Sequence, residues 1–268
     1  MGENNMKILL CGETGVGKTT FAYEIYKRFK NVHVVDGDEV RKFTGNFDYT
    51  DEGRRKNQAD VLARVGLLTS LNKHVVISVQ APFPDIRRKY FGDCRIIRLT
   101  NKANDKVIEN EVKPKYDYSD IKEVWEFTEV MENLDEYIGK LFPKVGVIGR
   151  FQPLHKGHSL PIEMAFKLSP NVTALIRKEA GDTFELEEVK ENLLSKYDFR
   201  DVIFTPKLKA KDWSFVKEYD FIVQGNPEVI EKVEANGGKV YYFPRISSVS
   251  GTYLRENLEK EKDGKLIL

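Results

Sequence analysis

The sequence predicts an α/β protein made of two parallel-sheet domains, and three observations carry that expectation. Short β-branched runs alternate with longer helical patterns along the chain, as they do where parallel strands are joined by crossover helices. The alternation breaks once, at Pro143, and then starts afresh, which divides the 268 residues into expected domains at 1–143 and 144–268. Each series opens on an apolar strand that runs into a glycine-bearing loop, "MKILLCGETGVGKTT" in the first and "KVGVIGRFQPLHKGH" in the second.

In the first series the strand-like runs are "MKILLC", "VHVV", "HVVISV" and "CRIIRL", separated by helical segments such as "EGRRKNQADVLARVGLLTSLNK". A polar stretch, "TNKANDKVIENEVKPKYDYSD", leads into "IKEVWEFTEVMENLDEYIGKLF", which reads as one helix. That helix is expected to end at Pro143, because proline cannot continue it. The second series supplies "KVGVIG", "NVTALI", "DVIFT", "DFIVQG" and "KVYYF", again with helical patterns between. No internal repeat or low-complexity tract interrupts either series.

Composition narrows the function classes. The 41% hydrophobic and 32% charged residues are those of an ordinary globular protein with enough core material. A formal charge of +1 argues against a nucleic-acid or membrane-surface partner, since both usually need a basic excess. Small-molecule or nucleotide substrates are the expected partners, and the oligomeric state is left open. Cys11 and Cys94 both lie beside apolar runs, where buried structural thiols are common. No apolar stretch approaches the roughly 20 residues of a membrane span, and no charged-then-apolar leader opens the chain, so the expected location is cytoplasmic.

"GETGVGKT", Gly12 to Thr19, satisfies G-x-x-x-x-G-K-[ST] between a strand and a helix, the context that makes the pattern a phosphate-binding loop. Gly12, Gly15 and Gly17 let backbone N–H groups wrap the polyphosphate of ATP. Lys18 reaches its outer phosphates, and Thr19 and Thr20 open the helix, with Thr19 placed to hold Mg²⁺. The next strand ends "VVDGDEVR", which puts Asp36, Asp38 and Arg41 where a parallel sheet presents its carboxyl ends to ligands. A carboxylate there can take a proton from an attacking hydroxyl or organise the metal, and an arginine can grip an anionic acceptor. Capping of the following helix is the alternative role for Asp38. "FDYTDEGRRKNQADV" adds Arg54, Arg55 and Asn57 at a helix start, with a solvated charged face as the alternative for Arg55.

These residues make the first half resemble adenylylsulfate kinase, the P-loop enzyme that phosphorylates the 3′-hydroxyl of adenylyl sulfate. The likeness covers roughly residues 6–100. It is carried by the P-loop, by "DGDEVR" for the family's D-G-D-N-x-R, by "DYTDEGRRKN" for its F-S-x-E-D-R-x-E-N stretch, and by "VVISVQAPF" for its I-x-S-F-I-S-P-Y strand. The resemblance implies that Asp36 and Asp38 are the catalytic or metal-organising carboxylates. It also implies that Arg41, Arg54 and Asn57 face the acceptor and that Tyr49 replaces the aromatic stacking on the acceptor base. Ala59 and Asp60 stand where the family has paired arginines, Ala81 replaces the serine before Pro82, and the family's lid elements are not recognisable. Kinase chemistry follows from the resemblance, and the acceptor stays open.

The second loop, "GRFQPLHKGH", brings Gly149, Arg150, Phe151 and Gly157 together with His155 and His158, two of the four histidines in the chain. Imidazole N–H donors at a helix N-terminus suit a triphosphate, because they stabilise the charge that builds as pyrophosphate departs. Zinc is the alternative, but no further His or Cys cluster completes a site. Near the end of the chain "SSVSGTYLRENL" places Ser250, Gly251, Thr252 and Arg255 at a helix start, a pattern that alone reads as a cap followed by a surface arginine.

Together the two segments resemble the nucleotidylyltransferase superfamily, whose H-x-G-H motif pairs with a distant S-x-T-x-I-R, over about residues 144–258. "GNPEVIEKVEANGGKVYYF", which begins with Gly225 and Asn226, looks most like the archaeal-type nicotinamide mononucleotide adenylyltransferases, although "EAGDTFELEEVKENL" replaces their N-P-F-T-x-x-E-R segment. Arg177 and Lys178 either grip the second substrate's phosphate or form a solvated pair. Trp213 reads as core in preference to a base-stacking residue.

The fold expectation becomes a P-loop parallel sheet followed by a Rossmann-like nucleotidylyltransferase sheet. The functional expectation is a Mg²⁺-dependent bifunctional enzyme that makes a nucleotide conjugate from ATP or CTP and then phosphorylates it. The alternatives are an NAD-salvage pair, nicotinamide riboside kinase with a mononucleotide adenylyltransferase, and a nucleotide-sensing regulator without turnover.

Overall fold

The computed structural model describes residues 5–102, 116–177, 184–205 and 212–244. The chain divides into two compact units, Met1–Leu141 and Phe142–Leu268.

The first unit is a five-stranded parallel sheet in the order β2-β3-β1-β4-β5. Its strands are β1 (Lys7–Cys11), β2 (Val32–Asp36), β3 (His74–Ser78), β4 (Arg95–Thr100) and β5 (Val124–Glu126). Strands buried on both faces read as continuous apolar runs, and "HVVIS" in β3 is buried at every position. Helices α1 (Lys18–Arg28), α2 (Gly37–Thr44), α3 (Asp51–Ser70) and α4 (Pro84–Phe91) connect the strands. The core packs Leu9, Val35, Val75 and Ile77 of the sheet with Val61 and Val65 of α3 and Ile86 and Phe91 of α4. Local chemistry sets the helix ends. Thr50 Oγ1 accepts the Gly53 N–H at 3.2 Å to start α3, Pro84 opens α4, and Gly45 at φ 67° closes α2 in a left-handed turn.

One expectation is corrected. The segment read as a single helix from Ile121 to Phe142 contains strand β5 followed by α5 (Phe127–Glu132) and α6 (Leu134–Leu141). Val124 and Trp125 extend the sheet edge in register with Arg98 and Leu99 of β4. Trp125 thereby buries its indole against Phe21, with ring centroids 6.2 Å apart, and edge-on to Tyr137 at 4.8 Å. Sheet pairing and aromatic burial outweigh a weak local helical preference. The Glu126 carboxylate then caps α5 through the Glu129 N–H at 3.1 Å.

The second unit is also a five-stranded parallel sheet, ordered β10-β9-β6-β7-β8. It comprises β6 (Val145–Gly149), β7 (Val172–Ile176), β8 (Asp201–Phe204), β9 (Phe221–Gln224) and β10 (Val240–Tyr242), with helices α7 (Lys156–Leu168), α8 (Leu186–Lys196) and α9 (Pro227–Ala235). The strand period of two splits its core. Val145 and Val147 face a cluster with Ile162, Val189 and Leu193, whereas Ile148 and Leu175 face Trp213, Val216, Val229 and Val233. Trp213 is therefore core. Cys11 and Cys94 are free, and burial pushes both thiols up to about 12, so neither is a thiolate at neutral pH. Among the described residues no helix is long and apolar enough to cross a membrane.

Both sheets share one topological property. In each, the first strand is central and the chain leaves it in both directions, with β1 between β3 and β4 and β6 between β7 and β9. The carboxyl end of such a strand is the crevice where open α/β sheets bind ligands.

Trp125→Ala should destabilise the first unit by about 3–5 kcal/mol, the usual cost of deleting a large buried aromatic. Urea unfolding followed by circular dichroism reads the loss. An unchanged midpoint would show that β5 does not hold the sheet edge.

Candidate active sites

The loop from Gly12 to Gly17 leaves β1 at the first crevice. A Cβ on Gly12 would lie 2.4 Å from the Leu99 carbonyl oxygen, and one on Gly17 would lie 2.3 Å from the Phe127 ring; both residues also have positive φ, at 139° and 94°, as has Gly15 at 80°. Only glycine fits such a path. Lys18 is the first residue of α1, and its Nζ donates to the Glu13 carbonyl at 2.6 Å. Burial lowers the Lys18 ammonium to about 8, while Cys11, Asp38 and Asp36 act in the opposite direction. Thr19 Oγ1 donates to Asp36 Oδ2 at 2.7 Å and lies 3.0 Å from Ser78 Oγ. The other oxygen of Asp36 accepts the Asp38 and Glu39 N–H groups at 2.9 and 3.2 Å, which caps α2.

The two carboxylates thus differ in freedom. The helix cap is Asp36 and not Asp38, whose side chain is exposed beside Lys18. Thr19, Asp36 and Ser78 form a group of hard oxygen donors. This suits Mg²⁺, which is usually held by one or two protein oxygens plus substrate phosphates and water. Thr20 is exposed on the same first turn of α1.

The residues expected on the acceptor side converge on Tyr49. Arg41 donates to the Asn46 and Asp48 carbonyls at 3.1 and 2.9 Å, and its guanidinium lies 4.7 Å over the Tyr49 ring. Arg54 donates through Nε to the Tyr49 carbonyl at 3.0 Å and through NH1 to Gln80 Oε1. Tyr49 is half exposed, and the Arg54 guanidinium also lies over its ring, 5.8 Å from the centroid. Asn57 donates to the Gly37 carbonyl at 3.3 Å, and its Oδ1, like Arg54 NH2, is buried without a partner. Arg55 stands apart, ion-paired with Asp85 over the Phe83 ring on the surface. Sequence reading passed over Thr14, Ser78 and Gln80. Their positions in the phosphate loop and at the end of β3 were the available signal.

In the second crevice, Gly149 ends β6 and the chain turns through Arg150 and Phe151, the latter buried at φ 53°. His155 is the N-cap of α7, its Nδ1 accepting the Gly157 N–H at 3.0 Å. That bond spends the Gly157 donor on the cap and puts the neutral ring's proton on Nε2. The His158 ring lies 4.0 Å from that of His155 and 5.1 Å from that of Phe151. Its Nδ1 is sealed from solvent without a partner. Burial and the adjacent His155 lower its pKa to about 3, against a raising hydrogen bond with the Pro153 backbone, so the imidazole is neutral. Gly225 and Asn226 follow β9 at the same edge. Gln224 Oε1 accepts both their N–H groups at 2.9 and 3.0 Å, and Asn226 caps α9. Arg177 follows β7, its N–H bonded to the Gly149 carbonyl at 2.9 Å. Lys178, Ser250, Gly251, Thr252 and Arg255 lie outside the described residues. No group of three or more His, Cys, Asp or Glu side chains converges as a metal site among the described residues.

Residues 4–133 match the family described as adenylylsulphate kinase. Cytidine diphosphoramidate kinase of Campylobacter jejuni subsp. jejuni serotype O:2 is 38% identical over 58 residues, which cover 20% of this chain and 34% of that protein. The chain therefore spans about a third of the length of this curated relative. Among solved structures, adenylylsulphate kinase of Mycobacterium tuberculosis in complex with AMPPNP and APS is 15% identical, covering 49% of this chain and 98% of that one with a TM-score of 0.38. A sugar kinase from Janibacter sp. HTCC2649 is 15% identical, covering 51% and 94% with a TM-score of 0.39.

Polyphosphate binding should protonate Lys18. Anionic oxygens favour the charged ammonium, so its pKa rises from about 8 toward or beyond the ordinary 10.5. Between those values the free protein lacks the proton and the complex holds it, so affinity should fall as pH rises through that window. Calorimetry of ADP binding near pH 9 in buffers of different ionisation enthalpy should report proton uptake that Lys18→Met removes. Buffer-independent heats would contradict it.

Proposed function

We propose that the chain is a bifunctional, cytoplasmic enzyme of small nucleotide substrates, with a kinase in residues 1–143 and a nucleotidylyltransferase in 144–268. The supporting observation is that two loops of different chemistry, one built on a lysine and carboxylates and the other on paired neutral imidazoles, occupy the same crevice position of two separate parallel sheets.

In the kinase, the Gly12–Gly17 loop and the start of α1 cradle the ATP phosphates, and Lys18 balances their charge. Mg²⁺, held by Thr19 with Asp36 and Ser78 behind it, would neutralise charge on the transferred phosphoryl group. The acceptor hydroxyl attacks the γ-phosphorus, Asp38 takes its proton, and the bond to the β–γ bridging oxygen breaks to release ADP. Arg41, Arg54, Asn57 and the exposed part of Tyr49 receive the acceptor. The matched family and the curated relative both name a nucleotide conjugate before "kinase". That shared feature favours an acceptor of this class, and the relative's cytidine favours CTP over ATP as the source of its nucleotide.

In the transferase, an acceptor phosphate attacks the α-phosphorus of the nucleoside triphosphate and pyrophosphate leaves. His155 donates its Nε2–H to the phosphate oxygens as charge builds, and His158 exchanges its Pro153 hydrogen bond for one to the same oxygens. Gly149, Arg150, Phe151, Gly157, Gly225 and Asn226 hold the nucleotide, joined by Ser250, Gly251, Thr252 and Arg255 on the strength of the motif. Arg177 and Lys178 take the acceptor phosphate.

Measuring ADP and pyrophosphate separately over a panel of CTP or ATP with sulfate, nicotinamide mononucleotide, nicotinamide riboside, and sugar or alcohol phosphates tests the whole reading. Lys18→Ala should abolish ADP formation while sparing pyrophosphate release, and loss of both in a folded variant would sink the division of labour. His158→Ala should slow pyrophosphate release by about 10²–10³-fold, the scale of one lost transition-state donor; wild-type turnover would make this histidine structural. With only transferase substrates and ATP supplied, ADP should follow pyrophosphate, and purified conjugate should restore ADP formation to His158→Ala. Nicotinamide riboside eliciting ADP without prior nucleotidyl transfer would reverse the order.

A further inference from the structure

Gln80 stands just beyond the carboxyl end of β3, and four hydrogen bonds meet on it. Its main-chain oxygen accepts the Gly12 N–H at 3.4 Å and the Tyr118 hydroxyl at 2.9 Å. Its side-chain Oε1 accepts from Arg54 NH1, and Nε2 donates to Thr14 Oγ1. The main chain fixes the residue while the amide reaches both halves of the site. Neither the phosphate-loop motif nor the acceptor arginine accounts for that bridge.

The direction of the bridge follows from donor chemistry. A guanidinium can only donate, so the amide oxygen must face Arg54 and the amide nitrogen must face Thr14. The Thr14 hydroxyl is then an acceptor toward Gln80, and its own proton is free for a ligand oxygen in the exposed phosphate loop. Were the amide reversed, its oxygen would take that proton away. Arg54 thus selects between two amide orientations, only one of which leaves Thr14 able to donate. Arg54 is itself 3% exposed and keeps NH2 without a partner after Nε and NH1 are bonded. An unpaired donor on a buried cation is costly, so an anionic group reaching it would tighten the guanidinium and the amide behind it.

We propose that Gln80 is a positioning residue whose amide couples Arg54 to Thr14, so that occupancy of the acceptor side strengthens nucleotide binding in the phosphate loop. This rests on the kinase reading of the first unit. A coupling free energy acts equally in both directions, so nucleotide in the loop also favours the acceptor. The amide is the two-state element that both sides bias.

The test titrates the full chain with Mg²⁺ and AMPPNP by calorimetry in three backgrounds: wild type, Gln80→Leu and Thr14→Val. Arg54→Met is added to each. Arg54 lies outside the phosphate loop, yet its substitution should weaken AMPPNP binding about fivefold in the wild-type background, the lower end of ordinary coupling between sites. In the Gln80→Leu and Thr14→Val backgrounds the same substitution should change nothing further. If Gln80→Leu does not fold, Thr14→Val, a change at an exposed position, decides alone. An equal loss in every background, or none in the wild type, overturns the coupling while leaving the kinase intact. A folded wild-type chain that does not bind AMPPNP overturns the kinase reading and the coupling with it.

Discussion

The Asp36 carboxylate accepts two helix N–H groups through one oxygen and the Thr19 hydroxyl through the other. One side chain at the end of β2 therefore sets both the start of α2 and the first turn of α1. That double duty is a consequence of parallel pairing. When all strands point one way, all their carboxyl ends share an edge, and the helices that follow begin there with unpaired N–H groups. Those groups must be satisfied by caps or by ligands. In the first unit Asp36 and Thr50 meet part of the demand. The helix after the phosphate loop has Gly17 as its cap and no side-chain acceptor, so its donors stay available to an anion. The second unit repeats the logic with different residues. His155 and Asn226 cap α7 and α9 at the edge where Gly149 and Gly225 lie.

Burial acts on the two sites in the same direction and with opposite effect on their chemistry. Lys18 is a cation strained by desolvation, which makes phosphate a stabilising partner for a charge already in place. His158 is stripped of any charge and bonded to the Pro153 backbone, next to His155, whose Nδ1 accepts a backbone N–H and so leaves Nε2 as the donor. Two protonated imidazoles 4.0 Å apart would repel; two neutral ones do not. A single loop could not hold both arrangements, because the first needs compensating carboxylates and the second needs their absence.

What could be read in the sequence was what depends on near neighbours. Gly12 to Thr19 is legible because the turn, the lysine and the helix start lie within one strand–helix junction. The paired histidines are legible for the same reason. The strand at Val124 was hidden because its stability comes from β4, Phe21 and Tyr137, none of them adjacent in the chain. Asp36 and Asp38 were indistinguishable in "VVDGDEVR", since capping is decided by where the strand stops, and it stops at Asp36. Gln80 carries no motif, and its bonds join residues 66 and 26 positions away, at Thr14 and Arg54. Pairings of that reach exist only after the sheet has formed.

The two tryptophans of the chain are divided between the two units, Trp125 against Phe21 and Tyr137 in the first and Trp213 beside Phe215 in the second. Both are buried, at 8% and 4% exposure, so the emission of each depends on the packing of its own sheet. Replacing either by phenylalanine leaves a chain with a single tryptophan located in a known half, which excitation at the red edge of indole absorption addresses apart from the 12 tyrosines. The protein thus carries a built-in optical label for each of its halves, through which the melting and the ligand response of one can be followed while the other stays silent.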